Sequence, residues 1–125
     1  FLEVQNEYDI YIFSGGYDSW SANYWIEDMK NTFGQETWQE VIQGKKTLSG
    51  PMKNLGADLE KKIINYNNNP ILKWCLTNTA IDIDKNNNIQ PIKTSNSRRR
   101  IDGLASLLNA YVQLERVYDN YMSVI

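Results

Sequence analysis

Two aspartates stand where a carboxylate could do chemistry. Asp18 follows Gly15-Gly16-Tyr17, at the point where a short apolar run, Ile10-Tyr11-Ile12-Phe13, gives way to a helical pattern. In layered α/β proteins the sites gather at the carboxyl ends of strands. Asp102 falls in the expected first turn of the last helix, directly after Arg98-Arg99-Arg100. Each also has a purely structural explanation, Asp18 as a helix N-cap and Asp102 as a charge that complements the helix dipole. Other candidates are weaker. Asp82 and Asp84 lie on an expected hairpin edge, open to water. Cys75, beside Trp74 on a short apolar helix, reads as a core thiol, because the chain has no His to activate it. Gly15-Gly16 lacks the Lys-Ser/Thr ending of a phosphate loop, and no GxxxxGK[ST] segment occurs anywhere. The absence of His excludes His-based catalysis and His-ligated zinc, so any metal must rest on oxygen ligands.

Charge is unevenly placed. The net charge is only -2, too little of either sign to imply a polyanion partner by itself. Residues 1–40 carry eight acids and one base, whereas residues 85–100 carry five bases (Lys85, Lys93, Arg98, Arg99, Arg100) and no acid. A polyanion would be drawn to the second region alone, and a solvated basic loop explains the same pattern.

The elements that must position these residues follow from periodicity. Residues 10–13 read as a buried strand ending at a glycine turn. Ala22, Trp25, Ile26, Met29 and Phe33 then fall on one helical face, with Gly34 as the stop. Residues 38–42 suggest a second strand ended by Gly44. Leu48, Met52, Leu55, Leu59 and Ile63 make one apolar stripe, with Ser49 and Pro51 as its start signals. Asn69-Pro70 opens a short helix to about Leu76. Alternation at residues 79–84, the turn Asn86-Asn87-Asn88 and the run 89–93 predict a hairpin. A long amphipathic helix is expected over 101–122, with Ile101, Leu104, Ala105, Leu108, Tyr111 and Val112 on one face. Strands alternating with helices argue an α/β layered fold.

The chain has 125 residues, 42% of them hydrophobic, which suits a single domain over 1–125 with a real core. No run of eighteen apolar residues exists, so no transmembrane helix is expected. The start, FLEVQNEYDI, has neither a basic opening nor a long apolar stretch, and no signal peptide is expected. With no initiator Met, the chain is expected to be a piece of something longer. One cysteine allows no internal disulfide, which fits a reducing compartment.

Several segments carry a family resemblance. They are Gly16-Tyr17-Asp18-Ser19-Trp20 with Ala22, then Ser49-Gly50-Pro51-Met52-Lys53, then Asn69-Pro70-Ile71-Leu72-Lys73-Trp74-Cys75 with Asn78, then Arg100-Ile101-Asp102-Gly103-Leu104-Ala105. In order and spacing they resemble the C-terminal nuclease part of terminase large subunits of the HK97-like group, over residues 8–111. The resemblance implies an RNase H-like mixed sheet flanked by helices, incomplete at the N-terminus, because nothing here matches the strand that bears the family's first acid. It implies a two-metal-ion endonuclease that uses Mg2+ or Mn2+, with Asp18 and Asp102 as catalytic metal ligands. Lys93, Arg98, Arg99 and Arg100 would hold the DNA backbone.

The implied task is cutting concatemeric double-stranded DNA during viral genome packaging, in the cytoplasm of a bacterial host. The implied partners are DNA, the terminase small subunit and the portal protein. With one acid unmatched, this chain alone is expected to be weakly active or inactive. Two other readings stand beside it: another RNase H-like nuclease, such as a resolvase or transposase, and a catalytically inactive docking module for DNA or portal.

Overall fold

The longest apolar stripes build the centre of the molecule. In the computed structural model, which describes residues 1–96 and 98–125, the elements are α1 (Leu2–Tyr8), β1 (Gly15–Tyr17), α2 (Ser19–Ala22), α3 (Ile26–Phe33), β2 (Trp38–Glu40), α4 (Lys45–Glu60), α5 (Pro70–Asn78), β3 (Thr79–Ile83), β4 (Ile89–Lys93) and α6 (Asp102–Val124). Leu48 and Leu55 of α4 pack against Leu104, Leu108, Tyr111 and Val112 of α6, and Val41 completes the cluster. Leu55 and Leu108 are almost wholly shielded from water. Truncating a leucine so placed to alanine costs about 2–5 kcal/mol, the lost transfer energy plus the cavity left behind. A directed bond ties the same two helices: the Tyr111 hydroxyl donates to Asp58 Oδ2 at 2.6 Å. Burial, and then the Asp58 carboxylate that accepts its hydrogen bond, push the Tyr111 phenol up to about 12, so it stays protonated at any ordinary pH.

The described strands form two small sheets flanked by helices. β1 and β2 are parallel, with Gly15 opposite Trp38 and Tyr17 opposite Glu40. This pair lies across α6, and glycine makes the approach possible. A Cβ on Gly16 would stand 2.6 Å from the Asn109 carbonyl oxygen and 2.9 Å from Val41, closer than real contacts allow. Gln113, buried in α6, donates to the Gly15 carbonyl at 3.2 Å. The expected hairpin is present as antiparallel β3 and β4, registered from Thr79 opposite Lys93 to Ile83 opposite Ile89. Its turn is organised by Asp84, whose carboxylate accepts from the backbone N–H of Asn86 and of Asn88.

α4 fastens this hairpin along one face. Lys45, Ser49 and Lys53 stand one turn apart, at the spacing that aligns side chains on a helix. Lys45 pairs with Asp82 at 2.7 Å, the Ser49 hydroxyl accepts from the Ile89 N–H at 3.0 Å, and Lys53 donates to the Asn87 carbonyl at 2.7 Å. The Lys45 ammonium, with Gln90 beside it, holds the Asp82 carboxyl below its usual value; backbone bonds from the turn, first that from Asn88, do the same for Asp84. These two acids are therefore engaged in holding the hairpin and are not merely solvated.

Several local expectations need correction. Residues 10–13 belong to no strand, and Ile10 and Tyr11 are exposed. The apolar run pairs with no described strand and instead rests on α6, where Phe13 meets Tyr121 edge to face. The strand begins later, at Gly15. The helix expected from Ala22 onward is broken into α2 and α3. Ser49 and Pro51 are not start signals: α4 begins at Lys45 after Gly44, and Pro51 lies inside the helix. An interior proline forfeits one backbone bond, which burial of Leu48 and the bond from Ser49 to the hairpin offset. Asn69-Pro70 does open α5, with the Asn69 side chain accepting from the Ile71 and Leu72 N–H groups. Gly34 does end α3.

Candidate active site

Asp18 sits one residue beyond β1, and its extended backbone turns the chain into α2. Its carboxylate serves as the N-cap of that short helix, with Oδ1 accepting from the Trp20 N–H at 3.1 Å and Oδ2 from the Ser21 hydroxyl at 3.1 Å. The capping explanation is thus realised. It does not use up the group, since a carboxylate offers about four acceptor positions and only two are taken. The two bonds also fix the carboxylate's orientation.

Asp102 is the first residue of α6 and is exposed. No side chain caps the helix locally. Its start is held from α5, where the buried Asn78 donates to the Arg100 carbonyl at 3.1 Å.

The two aspartates line one cleft of about 750 Å3. Its apolar side is made by Ile12, Trp25, Met29 and Trp38, and its polar side by Asp18, Ser21, Asp102, Ser106 and Asn109. On α6 the lining residues Asp102, Ala105, Ser106, Asn109 and Ala110 follow helical spacing, so they form a single stripe beside the buried apolar face. Gln43 donates to Asn109 Oδ1 at 3.2 Å, joining that stripe to the segment after β2. Close packing of β1 on α6 at Gly16 brings the end of the strand to the helix that carries Asp102.

The donor set is all oxygen, which suits a hard divalent cation such as Mg2+ or Mn2+. Among the described residues, no group of three or more Asp, Glu or Cys side chains converges around a cation position. The two carboxylates that line the cleft are those of Asp18 and Asp102.

The four basic candidates are placed differently. Lys93 ends β4, and Arg98, Arg99 and Arg100 form the segment running into α6; all four are exposed. None lines the cleft. They neighbour Asp102 along the chain and lie outside the pocket. Among the described residues the single ion pair is Lys45–Asp82, and no acid neutralises the arginines. The Arg98 N–H donates to Asn96 Oδ1 and the Arg99 N–H to the Asn96 carbonyl, both at 3.0 Å. Cys75 is a buried thiol, as its sequence context suggested.

Sequence reasoning missed Ser21, Ser106, Asn109 and the role of Asn78. For Ser106 and Asn109 a signal existed: they repeat at four and seven residues from Asp102, on the same helical face. Asn78 stood out only as part of a family-like segment, and its role was not legible because its partner, the Arg100 carbonyl, is distant in the sequence.

Comparisons with known proteins give a family, a partial relative and a shared fold. The family described as "Terminase large subunit, endonuclease domain" matches residues 10–116. Protein YmfN of Escherichia coli (strain K12) is 32% identical over 72 residues, covering 56% of this chain and 16% of that protein. The crystal structure of the HK97 bacteriophage large terminase shares the fold, with a TM-score of 0.72 at 20% identity over 90% of this chain and 23% of that one. The chain thus spans less than a quarter of either relative. The likeness bears out an RNase H-like α/β arrangement of small sheets flanked by helices.

Proposed function

The chain belongs to the family of terminase large subunit endonuclease domains, and from that premise we propose that it is a metal-dependent endonuclease cutting concatemeric double-stranded DNA during phage genome packaging. The observation that carries the proposal is that Asp18 and Asp102, far apart in sequence, line the same cleft. In this reading both are catalytic residues that hold Mg2+ or Mn2+.

Hydrolysis of a phosphodiester needs an activated water and a stabilised leaving oxygen, and divalent cations supply both when bound. The chain's own residues do the rest. The Asp18 carboxylate is aimed by the Trp20 N–H and the Ser21 hydroxyl. Asp102 lines the same cleft from the start of α6. Trp25 and Trp38 wall one side of the cleft. Lys93, Arg98, Arg99 and Arg100 hold the DNA backbone beside the cleft, through contacts that do not depend on sequence. The proposed partners are DNA, the terminase small subunit and the portal protein, in the host cytoplasm. No described helix is long and apolar enough to cross a membrane.

One observation favours a second reading. With no third acid converging among the described residues, the chain would be a catalytically inactive module that docks DNA or portal. Plasmid cleavage separates the two. In manganese, a version extended upstream to supply the unmatched acid should nick and linearise supercoiled DNA, this chain alone should do so weakly or not at all, and excess chelator should stop cleavage while DNA binding persists. Binding without any manganese-dependent cleavage, even in a version extended upstream, would favour the docking module.

A further inference from the structure

We infer that Asn78 is the positioning residue of this site, fixing where α6 begins and so the place of Asp102. The inference rests on the reading of Asp102 as a metal ligand.

A helix start leaves several N–H groups without partners, and a polar side chain just before the first turn normally satisfies one and sets its direction. α6 has no such residue. Its N-cap is Ile101, with φ -126° and ψ 13° and no side-chain cap bond. The start is instead gripped from α5. Asn78, the last residue of α5 and only 5% exposed, donates from Nδ2 to the Arg100 carbonyl at 3.1 Å. About one turn earlier, Cys75 lies against Gly103, so closely that a Cβ there would stand 3.1 Å from Sγ. Ile101 between them is buried. Residues 100–103 are thus held by one directed bond and one tight packing contact, on both sides of Asp102.

The Asp102 side chain itself is exposed and makes no hydrogen bond among the described residues, so its aim derives from the backbone that carries it. The bond also has a required sense. The Arg100 carbonyl can only accept, so position 78 must donate. Asn can do so, and an ionised Asp of the same shape cannot.

The test uses Asn78→Asp and Asn78→Ala beside Asp102→Asn. Mn2+ binding is followed by the electron paramagnetic resonance signal of the free ion, and cleavage is followed as a function of Mn2+. The native fold is checked by circular dichroism. Groups that orient a metal ligand typically contribute about 10–100-fold to affinity. Folded Asn78→Asp and Asn78→Ala should therefore need at least about 10-fold more Mn2+ for half-saturation, with cleavage recovering toward the parent at saturating Mn2+. Parental half-saturation in either folded variant overturns the inference, as does a loss of binding that only tracks loss of the fold. If Asp102→Asn itself binds Mn2+ normally, the functional reading fails instead. If Asp102→Asn loses binding and the Asn78 variants do not, only the role given to Asn78 fails.

Discussion

Replacing Asp102 by Asn should lower manganese-dependent plasmid cleavage by at least about 100-fold, and Asp18→Asn should do the same. Outer groups that merely orient a ligand contribute about 10–100-fold to metal affinity, so losing a ligand's own charge should exceed that. Asparagine is the informative substitution at both positions. At Asp18 it keeps the helix cap, because Asn accepts from the N–H groups of a first turn about as well as Asp. The cap to Trp20 therefore survives while the charge is removed. Alanine would confuse the two effects by adding about 1 kcal/mol of lost capping. At Asp102 the side chain is exposed and makes no cap bond, so the fold should hardly change. Cleavage by either Asn variant at the parental rate, with an unaltered melting temperature, would remove that residue from the site.

Replacing Arg98, Arg99 and Arg100 together by Ala should leave Mn2+ binding alone and act on DNA. Each phosphate contact contributes about 0.9 to the slope of log affinity against log salt, so losing three should flatten that slope by about 2.7. Taken from 1 M down to 0.1 M salt, that slope corresponds to a binding loss of about 500-fold. The effect should be nearly uniform across DNA sequences, since phosphate contacts position DNA and do not read it. Their exposure, and their place outside the cleft, is what separates this outcome from that of the aspartates. An unchanged salt slope in the triple variant would show that these arginines do not meet the DNA backbone.

What could be read in the sequence was local. The hairpin was legible because alternation over β3 and the Asn86-Asn87-Asn88 turn are properties of neighbouring residues, and Asn87 takes the left-handed conformation that such turns need, with φ 61°. α5 announced itself through Asn69-Pro70, and α6 through its apolar stripe. The errors arose where a distant contact decided the outcome. Residues 10–13 have strand-like side chains, yet a strand needs a hydrogen-bonded neighbour and these have none among the described residues. Gly15 and Gly16 have poor strand propensity, yet they form β1, because only glycine fits beneath Trp38 and against Asn109. Ser49 and Pro51 look like a helix start, and the helix runs through them because Ser49 serves the hairpin forty residues later.

The site divides in the same way. Asp18 and Asp102 could be nominated from their places at a strand end and a helix start. That they line one cleft depends on Gly16 packing against α6, and that the start of α6 is held by Asn78 depends on a bond across the fold. Neither contact leaves a mark in residue spacing.

The most direct test of the central claim is a crystal grown or soaked with Mn2+, of this chain or of a version extended upstream, with the ions located by anomalous scattering. Manganese should lie in the cleft, with an oxygen of Asp18 and an oxygen of Asp102 each at about 2.1 Å from an ion. If two ions bind, they should lie about 4 Å apart, with the two carboxylates within roughly 8 Å of each other. Carboxylates more than about 12 Å apart, too far to share a two-ion cluster, or manganese bound away from both residues, would contradict it.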